Sequence, residues 1–278
     1  MQCRCYTNWH NMVEIPHDYH LHSNFSCDCE APMAEMCAAA VERGIPEIGF
    51  TEHYDQHPGD SFRNWLRVPE WAASLEQCRV EFAGRLIIRA GIEIGEPHIY
   101  TKEAQSVLAH YPFDYVLGSL HWVGADFVFD DEFYKRPAEQ AFGDFFGELA
   151  VMTLAGGFDV LSHFDLPARM SRQFYGDYDP LPFAEPIRAV LANCVAHGIA
   201  LDINTAALRR NTPTLTPGEK VLRWYRELGG ERITLGSDSH RPANLGANLK
   251  DAIGAARAAG FRYVTQYQQR GAHMVPLP

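Results

Sequence analysis

The chain has no long apolar run. None of its hydrophobic stretches approaches the ~18 residues that span a bilayer, and charges recur throughout. The first residues, MQCRCYTNWHNMVEI, lack the basic segment, apolar stretch and small-residue cleavage site of a secretory signal. A cytoplasmic protein without a membrane partner is the expectation. Glycine-rich phosphate loops, coiled-coil heptads and low-complexity tracts are also missing, so neither a phosphate-cradling loop nor a low-complexity scaffold is expected. Positive charge is scarce: 24 Lys and Arg against 35 Asp and Glu leave a net charge of −11, unfavourable for a nucleic-acid surface. The seven cysteines are few and odd in number for 278 residues, so a disulfide framework is not expected. Cys3, Cys5, Cys27 and Cys29 form two C-x-C pairs whose spacing departs from structural zinc knuckles; reduced thiols are the simpler reading. Cys37, Cys78 and Cys194 fall in helical segments and read as small core residues.

What the chain does have is histidine, thirteen in all. Short apolar stretches at 14–22, 45–53, 86–95, 113–121, 158–165, 199–205 and 232–240 have the length and β-branched or aromatic content of strands. Between and after them, 32–44, 70–84, 101–110, 137–156, 186–198, 217–229 and 248–259 read as helices, several opening near Pro and stopping at Gly. Seven strand–helix repeats predict a distorted seven-stranded (β/α)7 barrel, TIM-barrel-like, with a doubly wound open sheet as the alternative. No linker divides the chain, so a single domain over 1–278 is expected, with 1–13 a short N-terminal extension and 266–278 a polar C-terminal tail.

Nearly every predicted strand ends in histidine or acid: His20 and His22, His53, Glu93, His121, His163 and Asp165, Asp238 and His240. Barrel strands deliver their C-terminal residues to one face. The H-x-H pair His20/His22 and the D-x-H pair Asp238/His240 each place two donors on one side of a strand. With Asp28 added and Asp165 set aside as a partner that orients ligands, the set numbers nine donors, more than the three or four that one catalytic zinc takes. Two or three divalent ions are expected, zinc, manganese or iron, with Glu93 as the carboxylate best placed to bridge.

The ordered segments HLHSNFSCD, GFTEHYD, GIEIG, DYVLGSLHW, LSHFD and LGSDSH together resemble the polymerase and histidinol phosphatase (PHP) superfamily, in its stand-alone histidinol-phosphatase branch. The resemblance runs from Asp18 to about Arg241. It implies a di- or trinuclear centre in which His20, His22, Glu93 and Asp238 hold one ion. Glu93 would bridge to a second held by His121 and His163, and His53, His240 and Asp28 would take a third. It further implies hydrolysis of L-histidinol phosphate in histidine biosynthesis by a metal-bridging hydroxide, with no phosphoenzyme. Asp238, His240 and Glu93 would be the catalytic groups, Asp238 or His240 assisting proton transfer. By the same resemblance Arg169 and Arg209 or Arg210 bind phosphate. Asn204, at a strand end, contacts substrate or caps the next segment, while Glu52 and Asp165 orient ligand imidazoles. For the substrate's cationic amine, Tyr54, Asp55, Trp122 and Asp165 are candidates. The alternatives are a PHP phosphoesterase for another small phosphomonoester or a nucleotide, and a non-catalytic metal-binding regulatory barrel. The expected partner is a small phosphorylated metabolite; the sequence leaves the oligomeric state open.

Overall fold

In the computed structural model, residues 14–210 and 214–278 are described; Cys3, Cys5 and the 1–13 extension lie outside them. In chain order the strands are β1 Asp18–Leu21, β2 Glu47–Tyr54, β3 Ile87–Gly95, β4 Tyr115–Ser119, β5 Trp122–Val123, β6 Asp126–Phe127, β7 Val160–Leu161, β8 Ala200–Asn204, β9 Ile233–Gly236, β10 Tyr263–Gln268 and β11 Gly271–Pro276. The α-helices are α1 Met33–Glu42, α2 Val68–Glu81, α3 Thr101–His110, α4 Ala138–Ala155, α5 Ala168–Tyr175, α6 Ala184–His197, α7 Glu219–Glu227 and α8 Leu249–Ala258.

Seven strands form one parallel sheet in the order β1-β2-β3-β4-β7-β8-β9. A parallel bridge between Leu21 and Ser239 joins its two edges. There His22 N donates to the Ser239 carbonyl at 3.0 Å and Asp238 N to the His20 carbonyl at 2.8 Å. The sheet is thus a distorted, nearly closed seven-stranded barrel with flanking helices, and closure sets the His20/His22 pair beside Asp238 and His240. β1 has a register irregularity between Asp18 and Leu21, the local adjustment a bulge provides.

Two apolar layers hold the barrel together. Between sheet and helices lies a large buried layer that includes Phe50, Trp71, Ile92, Phe146 and Leu191. A separate cluster joins Tyr19, Tyr115, Leu117, Val160 and Ala200 to Tyr267 of β10. The segment 266–278, expected as a polar tail, is therefore a correction: it continues β10 and forms β11, and Tyr267 is 2% exposed. Its polar composition disguised a partly buried strand, because Val264, Thr265 and Tyr267 are buried while Tyr263, Gln268 and most of β11 face water.

The predicted helices all form, within a few residues of their expected ends. Cys37, Cys78 and Cys194 are buried on α1, α2 and α6, and the five described cysteines are free thiols. Among the described residues no helix is long and apolar enough to cross a membrane.

Candidate metal centre

Strand order determines which groups meet at the C-terminal end of the barrel. Glu93 of β3 is fully buried and its two oxygens face different ways. Oε2 lies 3.3 Å from His20 Nε2, 3.5 Å from His22 Nε2 and 3.1 Å from His53 Nδ1. Oε1 lies 2.9 Å from His163 Nε2 and 3.5 Å from His121 Nε2. Asp238 Oδ1 approaches His22 Nε2 at 3.6 Å. Asp28 Oδ2 sits 2.9 Å from His240 Nε2 and 3.6 Å from His53 Nε2.

Four groups of donors are compact enough to hold an ion: His20, His22 and Asp238; His20, Glu93 and His163; His22, Asp28, His53 and His240; and His53, Asp55 and His121. All nine expected donors belong to this one assembly. Asp55 enters it unforeseen, and His22 stands close to the Asp28 group as well as to Asp238.

Orphaned atoms test whether metal suits the cluster. His20 Nε2, His22 Nε2 and Glu93 Oε2 are buried and make no hydrogen bond, a costly state for polar atoms unless something else satisfies them. Their neighbours explain why the lone pairs converge. Asp202 Oδ2 lies 2.9 Å from His20 Nδ1, and Asp55 Oδ1 2.8 Å from His121 Nδ1; a proton placed on each Nδ1 leaves Nε2 as a ligand atom. His22 Nδ1 meets the Ser26 hydroxyl at 3.0 Å, which donates to Glu52 Oε2 at 2.6 Å. Glu52 therefore reaches the His22 imidazole through Ser26, as a second link rather than a direct one.

Asp165 is a correction. It makes no hydrogen bond to a ligand imidazole but lies buried, 1% exposed, where burial raises its carboxyl to about 7. The carboxylates outside the nine donors that do meet imidazoles of the cluster are Asp202 and Asp55, and close backbone approach permits it. A Cβ on Gly236 would stand 2.5 Å from Asp202 Oδ1, and one on Gly95 2.1 Å from Asp55 Oδ1. The amine candidates are committed elsewhere too: Asp55 to His121, the Tyr54 hydroxyl to the Glu103 carbonyl at 3.4 Å, and Trp122 to a stack on His57 with centroids 4.0 Å apart.

Strain accompanies the ligands. His163 and Asp238 have φ of 23° and 51°, left-handed conformations that cost non-glycine residues about 1–3 kcal/mol each. At His163 the turn ends β7 after two residues, so the strand expected over 158–165 is cut short. Glu96, with φ of 45°, accepts the main-chain N–H groups of His121 at 2.6 Å and Trp122 at 3.0 Å.

Charge coupling runs through the cluster. Burial opposes charge on Glu93 and Asp238, but the imidazoles around Glu93, and Arg169 with His20 beside Asp238, hold both carboxyls well below the usual range. Burial likewise disfavours the His121 cation, yet the Asp55 and Glu93 carboxylates raise it to about 10. Burial dominates at His163 and lowers it to about 4.

The centre opens into a cavity of about 600 Å³ that includes Arg169, Arg209, Arg210 and Arg241. One Arg169 nitrogen donates to Asn204 Oδ1 at 2.7 Å and Asp238 Oδ2 at 2.8 Å. Arg209 donates to the Ser237 carbonyl at 2.6 Å, while Arg210 is exposed. Asn204 Nδ2 lies 3.3 Å from both Asp202 Oδ2 and Asp238 Oδ2. Asn204 thus ties ligand carboxylate, orienting carboxylate and Arg169 together, beneath the cavity wall. Sequence reasoning missed Asp202, Ser26, Glu96 and Arg241. Asp202 alone carried a signal, as the acid of the DINT strand end.

A parallel barrel with a polynuclear His/Asp/Glu centre and an arginine-lined cavity at its C-terminal end defines a class: metal-dependent hydrolytic barrels. Within that class the chain belongs to the PHP family, whose PHP domain matches residues 18–206. It is 31% identical to the probable histidinol-phosphatase of Deinococcus radiodurans over 258 residues, 89% of this chain and 95% of that one. It is also 31% identical to the histidinol-phosphatase of Lactococcus lactis subsp. lactis, over 90% of this chain and 93% of that protein. The crystal structure of histidinol phosphate phosphatase from L. lactis subsp. lactis, complexed with zinc, L-histidinol and phosphate, superposes with a TM-score of 0.82 at 26% identity. That match covers 93% of this chain and 98% of the other.

Proposed function

We propose that this protein is a metal-dependent phosphomonoesterase that hydrolyses L-histidinol phosphate to L-histidinol and phosphate, a step of histidine biosynthesis. The observation that carries the reading is the join between one polynuclear ligand cluster and an arginine-lined cavity, in a chain that shares its fold with the L. lactis enzyme complexed with zinc and both products. Bound divalent ions supply Lewis acidity toward phosphoryl oxygen and lower the pKa of water.

His20, His22, Glu93 and Asp238 would hold one ion, Glu93, His121 and His163 a second, and Asp28, His53 and His240 a third. The chain's other groups complete the chemistry. Arg169 and Arg209, anchored on Asp238 and on the β9 end, present fixed positive charge to a phosphate, and Arg210 and Arg241 add charge at the mouth. Arg169 orients the Asp238 carboxylate at the cavity wall and lowers its basicity, so Asp238 would relay the attacking water's proton rather than retain it. His240, whose Nδ1 lies 3.6 Å from Asp238 Oδ1, is placed to pass a proton toward the departing alcohol oxygen. One water is consumed, the P–O bond to the alcohol breaks, and the alcohol leaves protonated.

The test is phosphate release from L-histidinol phosphate against sugar phosphates, nucleotides and phosphodiesters, using zinc- or manganese-loaded protein. The expected result is the highest kcat/KM on L-histidinol phosphate. Preference for another ester would displace the substrate, and no turnover on any would displace the enzyme.

A further inference from the structure

The cavity is lined unevenly around the barrel. Arg169, Arg209 with Arg210, and Arg241 follow β7, β8 and β9, three adjacent strands. The arc after β2, β3 and β4 brings no cation to the cavity lining. It brings Asp60 and Phe62 from the β2–α2 loop, and Phe127 and Phe129 from the segment after β4. These two contributions dock on each other: the His57 ring stacks on Trp122 of β5 with 12° between planes, and His57 Nε2 lies 3.0 Å from the Gly124 carbonyl.

Asp60 is held in place without being neutralised by a salt bridge. Its Oδ1 accepts the Phe62 N–H at 2.7 Å, which sets the turn that carries both residues, and among the described residues its carboxylate forms no ion pair. Phe62 lines the cavity while 48% exposed, a large apolar surface free to be covered by a ring. The cavity therefore has an anion-binding arc and, across the metal centre, an arc in which the Asp60 carboxylate, unlike Asp55 and Glu93, faces no imidazole and stands among three phenyl rings. Such a surface recognises a cation attached to a flat ring.

We propose that Asp60 is a specificity-determining residue that receives the ammonium group of the substrate, with Phe62, Phe127 and Phe129 enclosing its ring, so that the cavity selects phosphate esters of aromatic amino alcohols over uncharged ones. This rests on the function proposed above. Asp55 and Asp165, the acids the sequence offered for the amine, are unavailable for the task. Asp55 orients His121, and Asp165 lies outside the cavity lining.

The experiment compares wild type, D60N and D60E by steady-state kinetics on L-histidinol phosphate, and by competitive inhibition with L-histidinol, its des-amino analogue imidazolepropanol, and inorganic phosphate. D60N is expected to raise KM and weaken L-histidinol inhibition about tenfold, the scale of one partly exposed charge pair. It should leave kcat and the phosphate and imidazolepropanol inhibition constants within about twofold, and D60E should recover part of the loss. A merely structural loop residue would move the phosphate constant as well. Parallel shifts in all constants, or none, would overturn the assignment. Wild type that neither hydrolyses L-histidinol phosphate nor binds L-histidinol by calorimetry would overturn the proposed function, and the ammonium subsite with it. That outcome is recognisable because it arises before any substitution is made.

Discussion

At the residue scale, Glu93 is the joint of the metal centre, since its two oxygens face separate sets of imidazoles. Glu93→Gln keeps the shape but replaces one oxygen with a nitrogen that donates and carries no charge. Bound metal and kcat are expected to fall together, by at least about tenfold in affinity, read by elemental analysis after dialysis; unchanged stoichiometry would contradict a bridging carboxylate. Protonation gives a second expectation. The carboxylates hold His121 charged up to about 10, so binding an ion must displace that proton across the neutral range. Affinity therefore rises with pH. Competition with a chelator of known pH dependence should show at least about tenfold tighter binding per unit from pH 6.5 to 7.5. A flat profile would mean that no proton is displaced. The clustered donors themselves were legible in the sequence, because H-x-H and D-x-H spacing and strand-end position are local facts. Asp202 and Asp55 beside their imidazoles were not, since each meets a ring 182 or 66 residues away, nor was Ser26, whose hydroxyl relay to Glu52 only folding creates.

At the element scale, the parallel strands were readable from apolar stretches and the helices from Pro starts and Gly stops. Three features escaped. β7 is cut to two residues by the left-handed turn at His163, a conformation that nothing in LSHFD announces. α5 carries only three buried residues among eight, too few for a clear apolar stripe. The β10–β11 hairpin hides its few buried residues, Val264, Thr265 and Tyr267, among polar ones. That hairpin contributes to the barrel interior, where the Tyr267 ring stacks 5.9 Å from Tyr115 and its N–H reaches the Tyr19 hydroxyl at 3.3 Å. Tyr267→Ala is accordingly expected to cost about 3–5 kcal/mol, as large-to-small changes of buried aromatics do, with the metal ligands left intact. Urea denaturation measures it, and a loss below about 1 kcal/mol would show the hairpin to be an ornament rather than part of the core.

At the scale of the whole molecule, the excess of acid and the anionic substrate are compatible because charge is sorted by place. A chain of net charge −11 gathers four arginines around one cavity and uses part of its acidity as metal ligands, so bound cations reverse the local sign. The sorting follows strand order, arginines after β7 to β9 and the Asp60 arc after β2 to β4. The central claim is that hydrolysis depends on more than one ion held by this cluster. It is tested most directly by titrating zinc or manganese into chelator-treated protein and recording phosphate release from L-histidinol phosphate against ions bound per chain. Activity should stay near zero through the first equivalent and reach its plateau at two or three. Full activity with one ion bound, or with none, would contradict it.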